Sequence, residues 1–211
     1  MNLLMLKKYF RNPSILFLLT GNIYCIWYYE RHPEAFFTVV WIYWFQSITI
    51  GIFNFLDLLT VKNYDASNFK MNDKPLIAGS KGCTAWFFLF HYGLFHIVYC
   101  IFLLVDFGIS SVNKMVLLTG IATFFLESLI NFIRQKQIER TVTINLGTMF
   151  FLPYLRIIPM HLMILLPVFF GWKPSLLFLG LKMGADILSF FLYHHIYTKN
   201  KIAESFVIHQ K

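Results

Sequence analysis

Charge is scarce in this chain. Only 13% of its 211 residues are Asp, Glu, Lys or Arg, where a soluble domain carries about 25%. So little charge, beside an apolar share of 58%, excludes disorder, which needs high charge and low hydrophobicity. A soluble globule is not expected either. Cysteine is scarce too. Cys25, Cys83 and Cys100 form no CxxC pair, which argues against a disulfide framework and leaves them as buried free thiols. No block of five or six basic residues is present, although the formal charge is +8. A nucleic-acid-binding tail is therefore not expected. There is no small-x-small cleavage site before Tyr28 and Tyr29, so the first apolar run reads as a span rather than a removed leader. Internal repeats, low-complexity tracts and a second domain are also missing.

What is present is a succession of apolar runs, with 25 phenylalanines and a mean hydropathy of +0.62. A bilayer core about 30 Å thick needs roughly 20 apolar residues as helix. Six segments meet that requirement, over 13–29, 34–59, 83–106, 112–133, 145–171 and 174–198. The expected fold is one all-α domain, a bundle of six transmembrane helices over residues 1–211. Asn12-Pro13-Ser14 opens the first helix, and Arg31-His32-Pro33 separates it from the second. The longest loop, about 61–82, carries the turn formers Asn63, Asp65, Ser67, Asn68, Asn72, Asp73, Pro75, Gly79 and Gly82. Pro153, Pro159 and Pro167 predict a kinked fifth helix.

Loop charge sets the orientation. One side collects 13 basic residues: Lys7, Lys8, Arg11, Lys62, Lys70, Lys74, Lys81, Arg134, Lys136, Arg140, Lys199, Lys201 and Lys211. The other has Arg31, Lys114 and Lys173. Positive loops stay inside, so both termini are expected in the cytoplasm.

An ionisable side chain at membrane depth costs a few kcal/mol or more, so such groups are the informative ones. They are His91 and His96 in the third helix, Glu127 in the fourth, Arg156 and His161 in the fifth, and Lys182, Asp186, His194 and His195 in the sixth. Asn22 and Gln46 are uncharged polar residues near mid-depth. At 1.5 Å per residue these groups can converge on the inner half of the bundle. Imidazole and carboxylate are ligands for zinc, iron and copper. His91, His96, His161, Asp186 and His194 are the expected metal ligands, with Arg156 as an anion or substrate contact and Glu127 as a weaker catalytic candidate. The spacing supports simpler readings as well. Lys182 and Asp186, at i and i+4, share a face and can neutralise each other, and Arg156 can pair with Asp186 or Glu127.

Three segments carry a resemblance: His91-Tyr92-Gly93-Leu94-Phe95-His96, Pro153-Tyr154-Leu155-Arg156 with His161, and Lys182 with Asp186 and His194. Together with an aromatic second helix bearing Gly51 and Asn54, they resemble an uncharacterised bacterial family of multi-pass membrane proteins, a domain of unknown function. The resemblance spans nearly the whole chain, implies the bacterial cytoplasmic membrane, and implies no reaction. Better-understood classes fit poorly. Membrane desaturases need HxxHH-like boxes, and Phe191 stands where one such His belongs. Zinc hydrolases related to alkaline ceramidases need SxxxH, but Phe87, Tyr92 and Ile157 occupy the positions that would complete it. No HExxH, GxSxG or Walker motif is present. The expectation is a metal-dependent membrane protein, with zinc, iron or copper acting on a hydrophobic or lipid-like substrate. A transporter or channel with an ion or proton path is the alternative, and a structural protein is the third. Membrane lipids are the expected partners, and nucleic acid is not one.

Overall fold

The computed structural model describes residues 12–65, 70–71, 74–75, 81–106, 112–170 and 176–208. Lys7, Lys8, Arg11, Lys173, Lys211 and His209 lie outside the described residues, as do Ser67, Asn68, Asn72, Asp73 and Gly79. The side chains of Lys70, Lys74, His195, Lys199 and Lys201 are outside them too.

The described chain is all-helical, and its six α-helices stand at the six expected positions: α1 (Pro13–Arg31), α2 (Phe36–Thr60), α3 (Lys81–Asp106), α4 (Lys114–Ile138), α5 (Leu146–Phe170) and α6 (Leu176–Ile208). Four of these stretches are long and apolar enough to cross a membrane: Pro33–Thr60, Lys81–Val105, Lys114–Ile138 and Leu176–His194. The helix starts follow capping chemistry. Asn12 accepts from Ser14 N at 3.1 Å, with Pro13 in the first turn. Asn113 accepts from Val116 N at 3.2 Å, and Asn145 from Thr148 N at 2.9 Å. Each Asn satisfies a backbone donor that the first turn leaves open. A short 3-10 turn, Pro33–Ala35, precedes α2. Helical backbone continues through Pro153, Pro159 and Pro167 in α5. The sixth helix runs ten residues past the expected end at 198.

Helix α2 is the hub, packed on α3, α4 and α5, while α1 packs on α4 and α6, and α5 on α6. Its central apolar window is 56% buried, against 28% for α3 and 22% for α4. The hub allows close approach where glycine replaces a side chain. A Cβ on Gly51 would run into the Tyr92 ring, and one on Gly120 would meet the Ile42 side chain at 2.7 Å. Small residues at helix crossings play this role in membrane bundles. Leu16, Ile23, Trp86, Phe90, Ile97 and Leu177 are all at least half exposed, which suits a hydrocarbon solvent. The cysteine expectation needs one correction: Cys25 is buried and Cys100 partly so, but Cys83, in the first turn of α3, is exposed.

Two-residue strands tie together the end that carries the basic loops. β1 (Tyr64–Asp65) pairs in parallel with β4 (Ile144–Asn145), and Ile144 N donates to Asn63 O at 3.0 Å. β2 (Lys70–Met71) and β3 (Lys74–Pro75) form an antiparallel pair. At the same end Lys136 lies 2.8 Å from Asp57 and 2.9 Å from Glu139, and Lys81 donates to Val61 O at 2.8 Å. Burial pushes the Glu139 carboxyl above its ordinary range, and Lys136 offsets part of that rise.

Candidate functional site

The core of the bundle holds four ionisable side chains from three helices. Asp186 and Lys182 come from α6, Arg156 from α5 and Glu127 from α4. Asp186 and Glu127 are both 0% exposed, and Lys182 is 2% exposed. The i, i+4 spacing on α6 brings Lys182 Nζ to 2.5 Å from Asp186 Oδ1. Arg156 bridges the two acids, with Nη2 3.6 Å from Glu127 Oε1 and Nε 4.0 Å from Asp186 Oδ1. Two acids and two bases make the set formally neutral.

Neutral polar groups from the other helices complete it. Asn22 of α1 and Gln46 of α2 donate to Asp186 Oδ2 at 3.2 and 3.1 Å. Tyr43 donates to Asn22 Oδ1 at 3.2 Å, and Lys182 Nζ sits 5.1 Å from the Tyr43 ring centre. Glu127 accepts from Asn131 at 2.6 Å and from Ser128 at 3.2 Å. Helices α1, α2, α4, α5 and α6 each send a side chain into this set.

A cavity of about 80 Å³ leads from this network toward the strand-tied end of the bundle. Glu127, Ser128, Arg156 and Ser189 line its inner part, while Asn12, Asp57, Arg134, Ile138 and His194 lie nearer the helix ends. That volume holds several waters or the head of a small organic ion. The arrangement therefore places buried ionisable groups beside a polar space.

The five residues expected to share a metal each have their own partners. His96 is buried on α3. Its Nδ1 lies 2.8 Å from Tyr92 O, and because a carbonyl only accepts, the proton belongs on Nδ1. Nε2 is then the acceptor for the Ser47 hydroxyl at 2.8 Å, and Tyr92 donates to Ser47 O at 2.9 Å. His91 Nδ1 meets Tyr154 OH at 2.8 Å. His161 has Nδ1 3.2 Å from Ile157 O and packs edge-on against Tyr99, ring centres 4.6 Å apart; Tyr99 also borders His96 at 6.3 Å. Asp186 is held in the charge network, and His194 stacks on Phe190 at the cavity wall, 5.8 Å between centres. Among the described residues, no group of three or more His, Cys, Asp or Glu side chains is placed to hold a metal ion. A metal bound at His96 Nε2 would have to displace the Ser47 hydroxyl.

The pairings read from spacing fare differently. Lys182 does pair with Asp186, and Arg156 does reach both Asp186 and Glu127. Several further contributors carry a sequence signal. Asn131 stands at i+4 from Glu127, and Asn54 and Ser189 are polar residues inside apolar helices. Ser47 and the Asp57–Lys136 pair depend on contacts between helices distant in sequence, which spacing cannot supply.

Comparison with curated proteins and with solved structures finds no match. The family of unknown function DUF6498 matches residues 4–203, nearly the full chain described here, so this protein belongs to that family.

Proposed function

We propose that this protein is a six-span integral membrane protein of a bacterial cytoplasmic membrane, with both termini cytoplasmic. In this reading it moves an ion or small solute across the bilayer by way of its buried charges. The observation that carries it is the Glu127–Arg156–Asp186–Lys182 set at the inner end of the cavity. Four ionisable groups withdrawn from water are expensive, and in membrane proteins such groups mark ion and substrate paths. The loose Arg156 contacts, at 3.6 and 4.0 Å, suit a cation that changes partners during a cycle.

The test is flux in proteoliposomes. Purified protein should speed the collapse of an imposed proton or small-anion gradient, and Glu127→Gln should abolish that flux while the protein stays folded. Equal leak with empty vesicles would refute transport. Metal analysis on protein purified without chelator or His-tag addresses the metal-dependent alternative. Near-stoichiometric zinc, iron or copper that disappears in a His96→Ala, His161→Ala variant would displace the transport reading.

A further inference from the structure

The polar groups facing the cavity are unequally satisfied. Both of its carboxylates have close partners: Glu127 takes Asn131 and Ser128, and Asp57 takes Lys136 at 2.8 Å. The cations do not. Arg156 has no carboxylate nearer than 3.6 Å, although its side chain is only 11% exposed. Arg134 makes no ion pair among the described residues. Two further donors are also unused. Asn54 Nδ2 and Ser189 Oγ are buried without a hydrogen-bond partner among the described residues. These four side chains come from α2, α4, α5 and α6 and line the same space. An unpaired donor in a buried site costs about 1–3 kcal/mol; Asn54 and Ser189 are such donors, and beside the loosely paired Arg156 and the partly exposed Arg134 they describe a place for an acceptor of negative charge. The remaining wall includes Phe53 and Phe132, which would cover an apolar body.

We propose that the cavity binds a small organic anion with an apolar body. Its charged end is held by Arg156 with Asn54 and Ser189, and Arg134 attracts it at the outer part of the cavity. The inference names the solute class for the transport reading and rests on that reading for its cellular use. The shared chemistry is a carboxylate or phosphate head, drawn from water or from the headgroup layer.

The test uses the full chain in a neutral detergent, titrated with benzoate. Benzyl alcohol and benzylamine keep the ring and replace the anion with a neutral or cationic group. Lysophosphatidylglycerol supplies the anion from a lipid. Saturable binding of benzoate, at least tenfold tighter than benzyl alcohol or benzylamine, is expected. Arg156→Gln should remove it. Because Arg156→Gln also strands buried acids and can fail to fold, Asn54→Asp carries the test independently. It preserves size, sets a negative charge against the ligand, and should weaken binding tenfold or more. Binding of the lysolipid in place of benzoate, with the same Asn54→Asp loss, supports the site and assigns its anion to the lipid. Equal binding of benzylamine, no effect of Asn54→Asp in folded protein, or no binding of either anion would overturn the proposal. Anion binding without flux would sink the transport reading and leave the site, whereas flux without anion binding would do the reverse.

Discussion

Removing Asp186 alone should damage this bundle far more than removing Asp186 and Lys182 together. Asp186 is 0% exposed and accepts from Lys182, Asn22 and Gln46. Asp186→Asn preserves its size but leaves Lys182, 2% exposed, as a cation without its 2.5 Å partner. Lys182→Met does the reverse and leaves the network with one uncompensated negative charge. Breaking a buried pair from one side costs about 3–5 kcal/mol, and a lone charge at the centre of a span costs about 2.5–3.5 kcal/mol on insertion scales. The double variant restores neutrality and keeps the Arg156–Glu127 pair. Its remaining loss is hydrogen bonding from Asn22 and Gln46, worth about 0.6 kcal/mol each in membrane interiors. The expectation is therefore about 3–5 kcal/mol for each single variant and about 1–2 kcal/mol for the double. Reversible unfolding in mixed detergent micelles, followed by tryptophan fluorescence, measures all three. The cycle should return a coupling energy of at least about 3 kcal/mol. Additive losses would refute the reasoning, because they would mean that the two charges do not depend on each other.

Other consequences follow from the same packing and charge. Gly51→Ala would push a methyl into Tyr92, whose hydroxyl is tied to Ser47; a loss of about 1–3 kcal/mol is expected in the same unfolding assay, with Tyr92→Leu recovering part of it. Lys136→Met removes the cation between Asp57 and Glu139 and should destabilise by about 2–4 kcal/mol at neutral pH. Because burial raises the Glu139 carboxyl, its folded form holds the proton more tightly than the unfolded chain does. Stability from this group is therefore present below its ordinary range and lost as pH rises through the raised value. Lys136→Met should steepen that loss, so its deficit relative to wild type should be smaller at pH 5 than at pH 8. On a cysteine-free background, Lys62→Cys should react with an impermeant maleimide only from the cytoplasmic side, and Lys114→Cys only from the opposite side. The reversed pattern would overturn the orientation.

The helices were legible in the sequence because each apolar run has to satisfy its own backbone as helix, and Asn12, Asn113 and Asn145 mark starts through local chemistry. The Lys182–Asp186 pair was legible for the same reason, since i, i+4 on one helix is a local relation. Cys83 shows where composition misleads: an apolar neighbourhood in sequence does not say which face of the helix is covered. What tertiary structure decided is which polar residues meet. Ser47 and His96 are 49 residues apart, and Gln46 and Asp186 are 140 apart. Docking of α2 on α3, made close by Gly51, brings Ser47 to His96, and the packing of the bundle as a whole brings Gln46 to Asp186. The sequence by itself determined the helical class and the presence of ionisable residues inside long apolar runs. Packing alone decided that Glu127, Arg156, Asp186 and Lys182 form one neutral set beside a cavity, because helix rotation and crossing geometry depend on contacts between segments and not on the content of any one of them.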